Sequence, residues 1–233
     1  MKYKGNLSLK LYNKKMVNRI QKKINLLGVS CKYDAITFLN VRIFTSIIIF
    51  LVVLIFSSYG YILSIVFVIL YYYLFERILL DEKIKKRTTK LNNEAIYFFE
   101  VLTLSLQTGR NLTEAVTITV NSIDSEISKE FKEAIRQTRF GKSLTESFND
   151  MQKKIPSDSI NNIILSLTQA NMYGSSIIDM MYNQVDYLRE RRKLEVKATI
   201  SKVPTKISII SVFFFIPLIL LIILAPAVLS YIG

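Results

Sequence analysis

Two stretches of this chain carry no charged residue, and they constrain its fold more than any other feature. Residues 43–75 and 207–233 contain no Lys, Arg, Asp or Glu, whereas the whole chain has 31 basic and 18 acidic residues. A helix needs about 20 predominantly apolar residues to cross the hydrocarbon core of a bilayer. The pattern therefore predicts an all-α integral membrane protein whose charged residues lie outside the bilayer.

The first uncharged stretch allows two arrangements. As a single helix, 33 residues would measure about 50 Å, against roughly 30 Å of hydrocarbon. The turn signal SSYG at 57–60 divides it into halves of about 16–17 residues, at the low end of the spanning range. Because basic residues concentrate in cytoplasmic loops, and both flanks are basic, we favour a hairpin.

Charge then divides the chain into four predicted parts. Residues 1–42 hold 10 basic residues against one acid, and residues 76–206 hold 21 against 17. The parts are a basic amphipathic cytoplasmic segment (1–42), a transmembrane hairpin (43–75), a cytoplasmic helical domain (76–206) and a C-terminal transmembrane helix (207–233). This order predicts a multi-pass protein of the cytoplasmic membrane, with its C-terminus outside the cell.

The central segment has the pattern of a helical bundle. It shows no alternating strand pattern, and its apolar residues recur at helical spacing. Two such stripes are Leu91, Ala95, Phe98, Leu102 and Leu106, and Ile160, Ile163, Ile164, Leu167 and Ala170. We expect a compact antiparallel bundle of about six helices.

Three glycines punctuate this segment in the same way. Each is followed two residues later by Asn or Ser, and five residues later by an acid. Glycine suits the left-handed residue that ends a helix, Asn or Ser caps the next helix, and the acid reaches back to the cap. The three joints are Gly109, Asn111 and Glu114; Gly141, Ser143 and Glu146; and Gly174, Ser176 and Asp179.

The second joint contains GKS, which resembles the end of a phosphate-binding loop. That loop requires a glycine at position 136, where this chain has Arg136, and a strand before it. The preceding residues instead place Ile127, Phe131 and Ile135 on one face of an amphipathic helix. We therefore interpret GKS as a helix joint and expect no nucleotide site.

Residue types that carry catalysis or bind metals are scarce. The chain has no histidine, and its one cysteine, Cys31, allows no internal disulfide and no cysteine metal cluster. Carboxylates such as Glu94, Glu100 and Glu114 are more typical of exposed helix faces than of a metal site. We expect no enzymatic activity, no cofactor and no metal.

Two clusters of basic residues are candidate contacts for a partner or for lipid. The first lies on a predicted amphipathic helix, residues 9–27, which fits either the inner leaflet or a protein partner; nucleic acid is not needed to explain the charge. For the second, a solvated face, anionic lipid and a protein partner stay open. The residues are Lys14, Lys15, Arg19, Lys22 and Lys23 in the first cluster, and Arg189, Arg191, Arg192 and Lys193 in the second.

Residues 30–231 contain the two predicted spans, the helical domain with its glycine joints and the last span in this order. In this they resemble the F-domain platform proteins of type II secretion and type IV pilus machines. The similarity is closest to the TadC-like platforms of Tad pili. It is most specific in 166–229, which contains QANMYG, LRERR, the KVPTK that leads into the last span, and APA. Asn171 stands where that family often has an acid.

The resemblance implies a scaffold rather than an enzyme. It implies that a hexameric secretion ATPase docks below the cytoplasmic membrane and that the platform passes its motion to pilins during filament assembly. Larger relatives carry two F domains in one chain, so a single domain implies pairing with itself or with a sister subunit. The alternatives are a transporter subunit or a membrane-anchored helical interaction module unrelated to pili.

Overall fold

The computed structural model describes residues 12–28, 34–56, 60–173 and 176–232, and within them the chain is helical, without strands. The all-α expectation is thus confirmed. Gly174 of the third predicted joint lies outside the described residues, as do residues 57–59 of the predicted turn and Cys31. The helices are α1 (Lys14–Asn25), α2 (Ala35–Phe56), α3 (Gly60–Glu76), a π-helical turn (Arg77–Asp81), α4 (Glu82–Gln107), α5 (Leu112–Ser122), α6 (Glu126–Arg139), α7 (Leu144–Gln152), α8 (Asp158–Tyr173) and α9 (Ile177–Ile232).

Helices α2 and α3 pack side by side in opposite directions. The Phe38 and Phe75 ring centroids are 5.2 Å apart, and one turn along, Arg42 Nη2 donates to the Tyr72 carbonyl at 2.9 Å. Thr45 meets the Tyr71 hydroxyl further along. Residue numbers that rise on one helix as they fall on the other define an antiparallel pair. Helix α2 begins at Ala35, so it extends ahead of residue 43, where the predicted transmembrane hairpin starts.

Helix α1 packs its apolar face against protein. Val17, Ile20 and Ile24 are buried in one cluster with Ala35 and Leu39 of α2 and Leu80 of the π turn. Tyr12, Met16 and Leu27, predicted on the same face, pack partly buried against this cluster. The predicted apolar face is present, and α2 and the π turn supply the apolar surface that covers it.

The bundle core is built around four phenylalanines. Phe98 and Phe99 of α4, Phe131 of α6 and Phe148 of α7 are fully buried, and the Phe98 and Phe131 ring centroids lie 4.7 Å apart. Phe131 and Phe148 meet edge-on at 5.7 Å, a favourable arrangement for aromatic rings. Both predicted apolar stripes are buried, so the helical periodicity identified the core-facing residues of α4 and α8.

The chain forms two compact units, one ending at Val185 and the other beginning at Asp186. Helix α9 begins in the first unit, where Met181 and Val185 are buried, and contains Pro204, Pro217 and Pro226. Two segments within the described residues, Ala35–Ile55 and Ile177–Leu224, are long and apolar enough to cross a membrane. Helix α3 has 17 residues, close to the shortest length that spans a bilayer.

Candidate functional site: the junction between hairpin and bundle

The α2–α3 pair meets the bundle at a polar junction, formed by α1, the π turn and the start of α4. At one edge of it, Lys23 Nζ of α1 binds Glu76 Oε1 at 2.8 Å and Asp81 Oδ1 at 2.7 Å. Burial disfavours the charged ammonium, but the hydrogen bonds to Asp81 and Glu76 outweigh it and raise the pKa of Lys23. Lys23 therefore ties α1 to both ends of the π turn.

The π turn explains how one lysine reaches both acids. In an α-helix, residues five apart point about 140° away from each other, because each residue turns about 100°. In a π turn the hydrogen bond joins residues i and i+5, so these residues come to lie nearly above one another. Arg77–Asp81 has this geometry, which brings Glu76 and Asp81 to the same side of the helix.

Glu76 is also the carboxylate that holds the buried arginine of α2. Arg42 is 2% exposed, and its Nη1 lies 3.5 Å from Glu76 Oε2. Its guanidinium carbon stands 3.2 Å from the centroid of the Tyr72 ring, within the range of a cation–π contact. Helix α3 therefore provides Arg42 with an acid, a carbonyl and an aromatic ring inside the protein.

A second buried arginine joins α1 to the bundle. Arg87 of α4 donates from Nη2 to Glu130 Oε1 at 2.6 Å and from Nε to Glu126 Oε1 at 2.8 Å, both on α6. Its Nη1 donates to the carbonyls of Leu26, at the end of α1, and of Lys154, after α7, at 2.6 and 2.7 Å. One side chain thus holds three parts of the chain against α4.

The remaining predicted cations of α1 point away from the protein. Lys14, Lys15 and Lys22 are exposed, and they form no ion pair with any of the described residues. Arg19 is also mostly exposed and reaches Glu76 Oε1 at 3.4 Å. Of the five basic residues predicted as partner or lipid contacts, the structure therefore places Lys23 within the junction and leaves the other four at the surface.

The second predicted cluster lies on α9 and is paired locally. Arg189 contacts Asp186 at 3.1 Å, and Lys193 contacts Glu190 at 2.6 Å. Arg191 and Arg192 approach the same acid, Glu195, at 3.4 and 3.7 Å. Exposed pairs at this spacing stabilise a helix by only about 0.3–0.5 kcal/mol, so these side chains are easily re-paired with a partner.

The helix joints have the predicted cap geometry to different degrees. Gly109 and Gly141 have φ of +77° and +88°, and Asn111 accepts from the Glu114 amide at 2.9 Å. The Ser143 joint is a full capping box, in which Ser143 Oγ accepts from the Glu146 amide at 3.1 Å and Glu146 Oε2 accepts from the Ser143 amide at 3.3 Å.

The third joint differs from the prediction. Ser176 Oγ donates to the carboxylate of Asp179, so among the described residues the acid bonds the side chain of the cap and not its backbone. Asp is one methylene shorter than Glu, which limits how far its carboxylate reaches back along the helix. The other two joints also differ from each other. The Glu146 carboxylate accepts from the backbone amide of its cap, Ser143, whereas among the described residues Glu114 makes no such bond to the backbone of Asn111.

Removing the complete capping box tests the structural reading of GKS. Ser143→Ala is expected to cost about 1 kcal/mol of stability, because the Glu146 amide loses its acceptor. The thermal midpoint of the purified full chain should fall by about 2–4 °C, as is usual per kcal/mol for a protein of this size. Ser122→Ala, at an exposed helix end, is the matched control, and an equal shift for both variants would contradict the cap role.

Sequence reasoning missed Arg87 and Glu130, although a signal was present. Arg87 precedes Leu91 and Ala95 by the same four-residue step that defines the apolar stripe of α4, so it occupies a core-facing position. A charged residue at such a position is rarely buried unless it is paired. The pattern indicated a buried ion pair, but it did not identify the partner.

The comparisons with known proteins bear on the region that begins within α4. The family model of type II secretion system (T2SS) protein F matches residues 98–225, more than half of the 233-residue chain. No curated protein and no solved structure gives a significant match. Within the described residues, no group of three or more His, Cys, Asp or Glu side chains is arranged to hold a metal ion.

Proposed function

Because this chain belongs to the type II secretion system protein F family, we propose that it is the platform protein of a pilus-assembly or secretion machine in the cytoplasmic membrane. Proteins of this family are membrane platforms rather than enzymes, and they work with a secretion ATPase and with other platform subunits. The finer assignment, to the TadC-like platforms of Tad pili, rests on the order of motifs in 166–229.

The observation that carries the proposal is the family match, which covers most of the bundle and most of the apolar part of α9. The two apolar candidate spans support a membrane location. In the proposed topology α2 and α3 form a transmembrane hairpin, the bundle is cytoplasmic, and the C-terminus is external. The basic residues that flank the hairpin favour this orientation.

The junction supplies a physical route for motion. A platform that couples an ATPase to pilins must carry a displacement of its cytoplasmic domain to its membrane helices. Arg87 fixes the end of α1 to α4 and α6, while Lys23 fixes α1 to both ends of the π turn. We infer that α1 braces the bundle against the hairpin, so that the two move together when the ATPase acts on the bundle.

The exposed guanidinium groups on α9 are the candidate contact for the ATPase. Detergent-solubilised full chain is expected to retain the cognate ATPase in a pulldown. The variant Arg189→Glu/Arg191→Glu/Arg192→Glu is expected to weaken that binding at least tenfold, because close charge pairs at interfaces contribute about 1.5 kcal/mol or more. Raising the salt concentration should weaken the native complex and should change the variant less.

The matched control reverses three exposed cations of the bundle in Arg110→Glu/Lys129→Glu/Lys132→Glu. Retention of the ATPase by this control and loss by the α9 variant supports the assignment. Equal binding by both variants removes the α9 residues as the contact but keeps the platform role. No binding by the native chain argues against direct coupling.

A further inference from the structure

We propose that the outward face of α1 binds anionic phospholipid headgroups of the cytoplasmic leaflet. This basic face is formed by Lys14, Lys15 and Lys22, with Arg19 at its edge. The inference rests on the membrane topology proposed above, and it adds a ligand to a surface that the platform role does not explain.

The position of α1 beside α2 is the first observation. Gln21 Oε1 accepts from the Ala35 amide at 3.2 Å, and the Tyr12 hydroxyl donates to Asn40 Oδ1 at 3.0 Å. These contacts show that α1 runs antiparallel to the first turns of α2. Residues 35–40 of α2 precede the uncharged stretch that begins at residue 43, so in the proposed topology α1 lies at the level where the hydrocarbon core gives way to headgroups.

The orientation of α1 is the second observation. Its apolar face is covered by α2 and the π turn, with Ile20 and Ile24 at 1% and 3% exposure. An amphipathic helix that rests on a membrane ordinarily buries that face among acyl chains. Here the face that remains for the membrane is the charged one, so the contact must be with headgroups.

The charge of this face selects the lipid class. Helix α1 contains no acidic residue in its sequence KKMVNRIQKKIN. Lys23 is engaged by Glu76 and Asp81, but Lys14, Lys15 and Lys22 have no ion pair recorded within the described residues. Three cations on one helix face complement a lipid phosphate that carries a net negative charge, and a zwitterionic headgroup complements them less well.

The test compares two lipids on the full chain. Purified protein in detergent is titrated with phosphatidylglycerol or with phosphatidylcholine, and bound lipid is counted by native mass spectrometry. Each lysine near an anionic phosphate contributes about fivefold in affinity. The variant Lys14→Gln/Lys15→Gln/Lys22→Gln is therefore expected to raise the Kd for the first phosphatidylglycerol at least fivefold and to leave phosphatidylcholine binding unchanged.

Two further variants make the result specific. Lys14→Arg/Lys15→Arg/Lys22→Arg keeps the charge and should keep the affinity, whereas Arg110→Gln/Lys129→Gln/Lys132→Gln removes the same charge from the bundle and should change nothing. Should the triple glutamine variant fail to fold, Lys22→Gln alone is expected to give about a fivefold loss. An unchanged Kd in the α1 variant, or an equal loss in the bundle variant, overturns the proposal.

A separate measurement distinguishes failure of this inference from failure of the topology. In a Cys31→Ser background, Lys90→Cys should react with an impermeant maleimide only after the membrane is disrupted. Reaction in intact cells refutes the proposed topology, and the lipid inference with it. Protection in intact cells with no preference for phosphatidylglycerol refutes the lipid inference alone, and capture of the ATPase by this face in the pulldown assigns it to a protein partner instead.

Discussion

Arg87→Met is expected to lower the free energy of unfolding by about 3–5 kcal/mol, because it removes one partner from a buried ion pair. The side chains of Arg87 and Glu130 are 6% and 3% exposed. Without the guanidinium, the Glu130 carboxylate stays buried with its charge less compensated, and two carbonyls lose their shared donor. The thermal midpoint of the full chain in detergent should fall by about 2–4 °C per kcal/mol.

The control for Arg87→Met is its neighbour one helical turn along. Lys90 is 61% exposed and lies 3.6 Å from Glu126 and 3.9 Å from Glu94. Exposed pairs of this kind contribute about 0–1 kcal/mol, so Lys90→Met should shift the midpoint by a few degrees at most. Similar shifts for Lys90→Met and Arg87→Met would contradict the central role of the Arg87 network.

A compensating change separates lost charge balance from lost packing. Replacing a whole buried ion pair by apolar residues of similar volume is often nearly neutral, whereas removing one partner is not. Glu130→Met added to Arg87→Met is therefore expected to recover part of the stability lost in the single variant. If the double variant is instead no more stable than Arg87→Met, the loss in Arg87→Met comes from the bonds that Arg87 makes to Leu26 and Lys154 and not from the uncompensated charge of Glu130.

The sequence predicted local structure in this chain better than contacts across it. The apolar stripe that contains Phe98 and Leu102 is buried, and the Ser143 cap is present, because both depend on residues three or four positions apart. The same periodicity predicted the apolar face of α1. It did not reveal whether lipid or protein covers that face, since both are apolar partners and the pattern of one helix does not distinguish them.

Local sequence patterns could not predict the contacts of the junction. Lys23 meets Glu76 and Asp81, which are more than fifty positions away in the chain, and nothing in the spacing of α1 identifies them as partners. The π turn adds a second difficulty. It inserts a register change into what is otherwise a continuous helical pattern, so α-helical spacing places Glu76 and Asp81 on different sides, and the site cannot be assembled from a helical wheel.

Gly28 is the residue that allows α1 to end against Arg87, and Gly28→Ala is expected to cost about 4 kcal/mol. Its φ of +89° lies in the left-handed region, where a side chain costs roughly 1–2 kcal/mol. A Cβ there would lie 2.5 Å from Arg87 Nη2 and 2.8 Å from Glu130 Oε1. The end of a free arginine could move away, but this one is held by its bonds to α1, α6 and the turn after α7, so part of the network energy is lost as well.

Gly141 provides the comparison that separates the cost of the steric conflict from the cost of the backbone conformation. Its φ is +88°, almost the same as at Gly28, yet a Cβ at Gly141 would meet no atom within 4 Å. Gly141→Ala should therefore show the conformational cost alone, about 1–2 kcal/mol. The difference between the two thermal midpoints then measures the cost of the steric conflict between the new Cβ at Gly28 and the Arg87 side chain. Equal midpoints would mean that this close contact between the end of α1 and Arg87 does not contribute to stability. Because Arg87→Met shortens the side chain that the new Cβ meets, Gly28→Ala should cost less in that background than in the native chain.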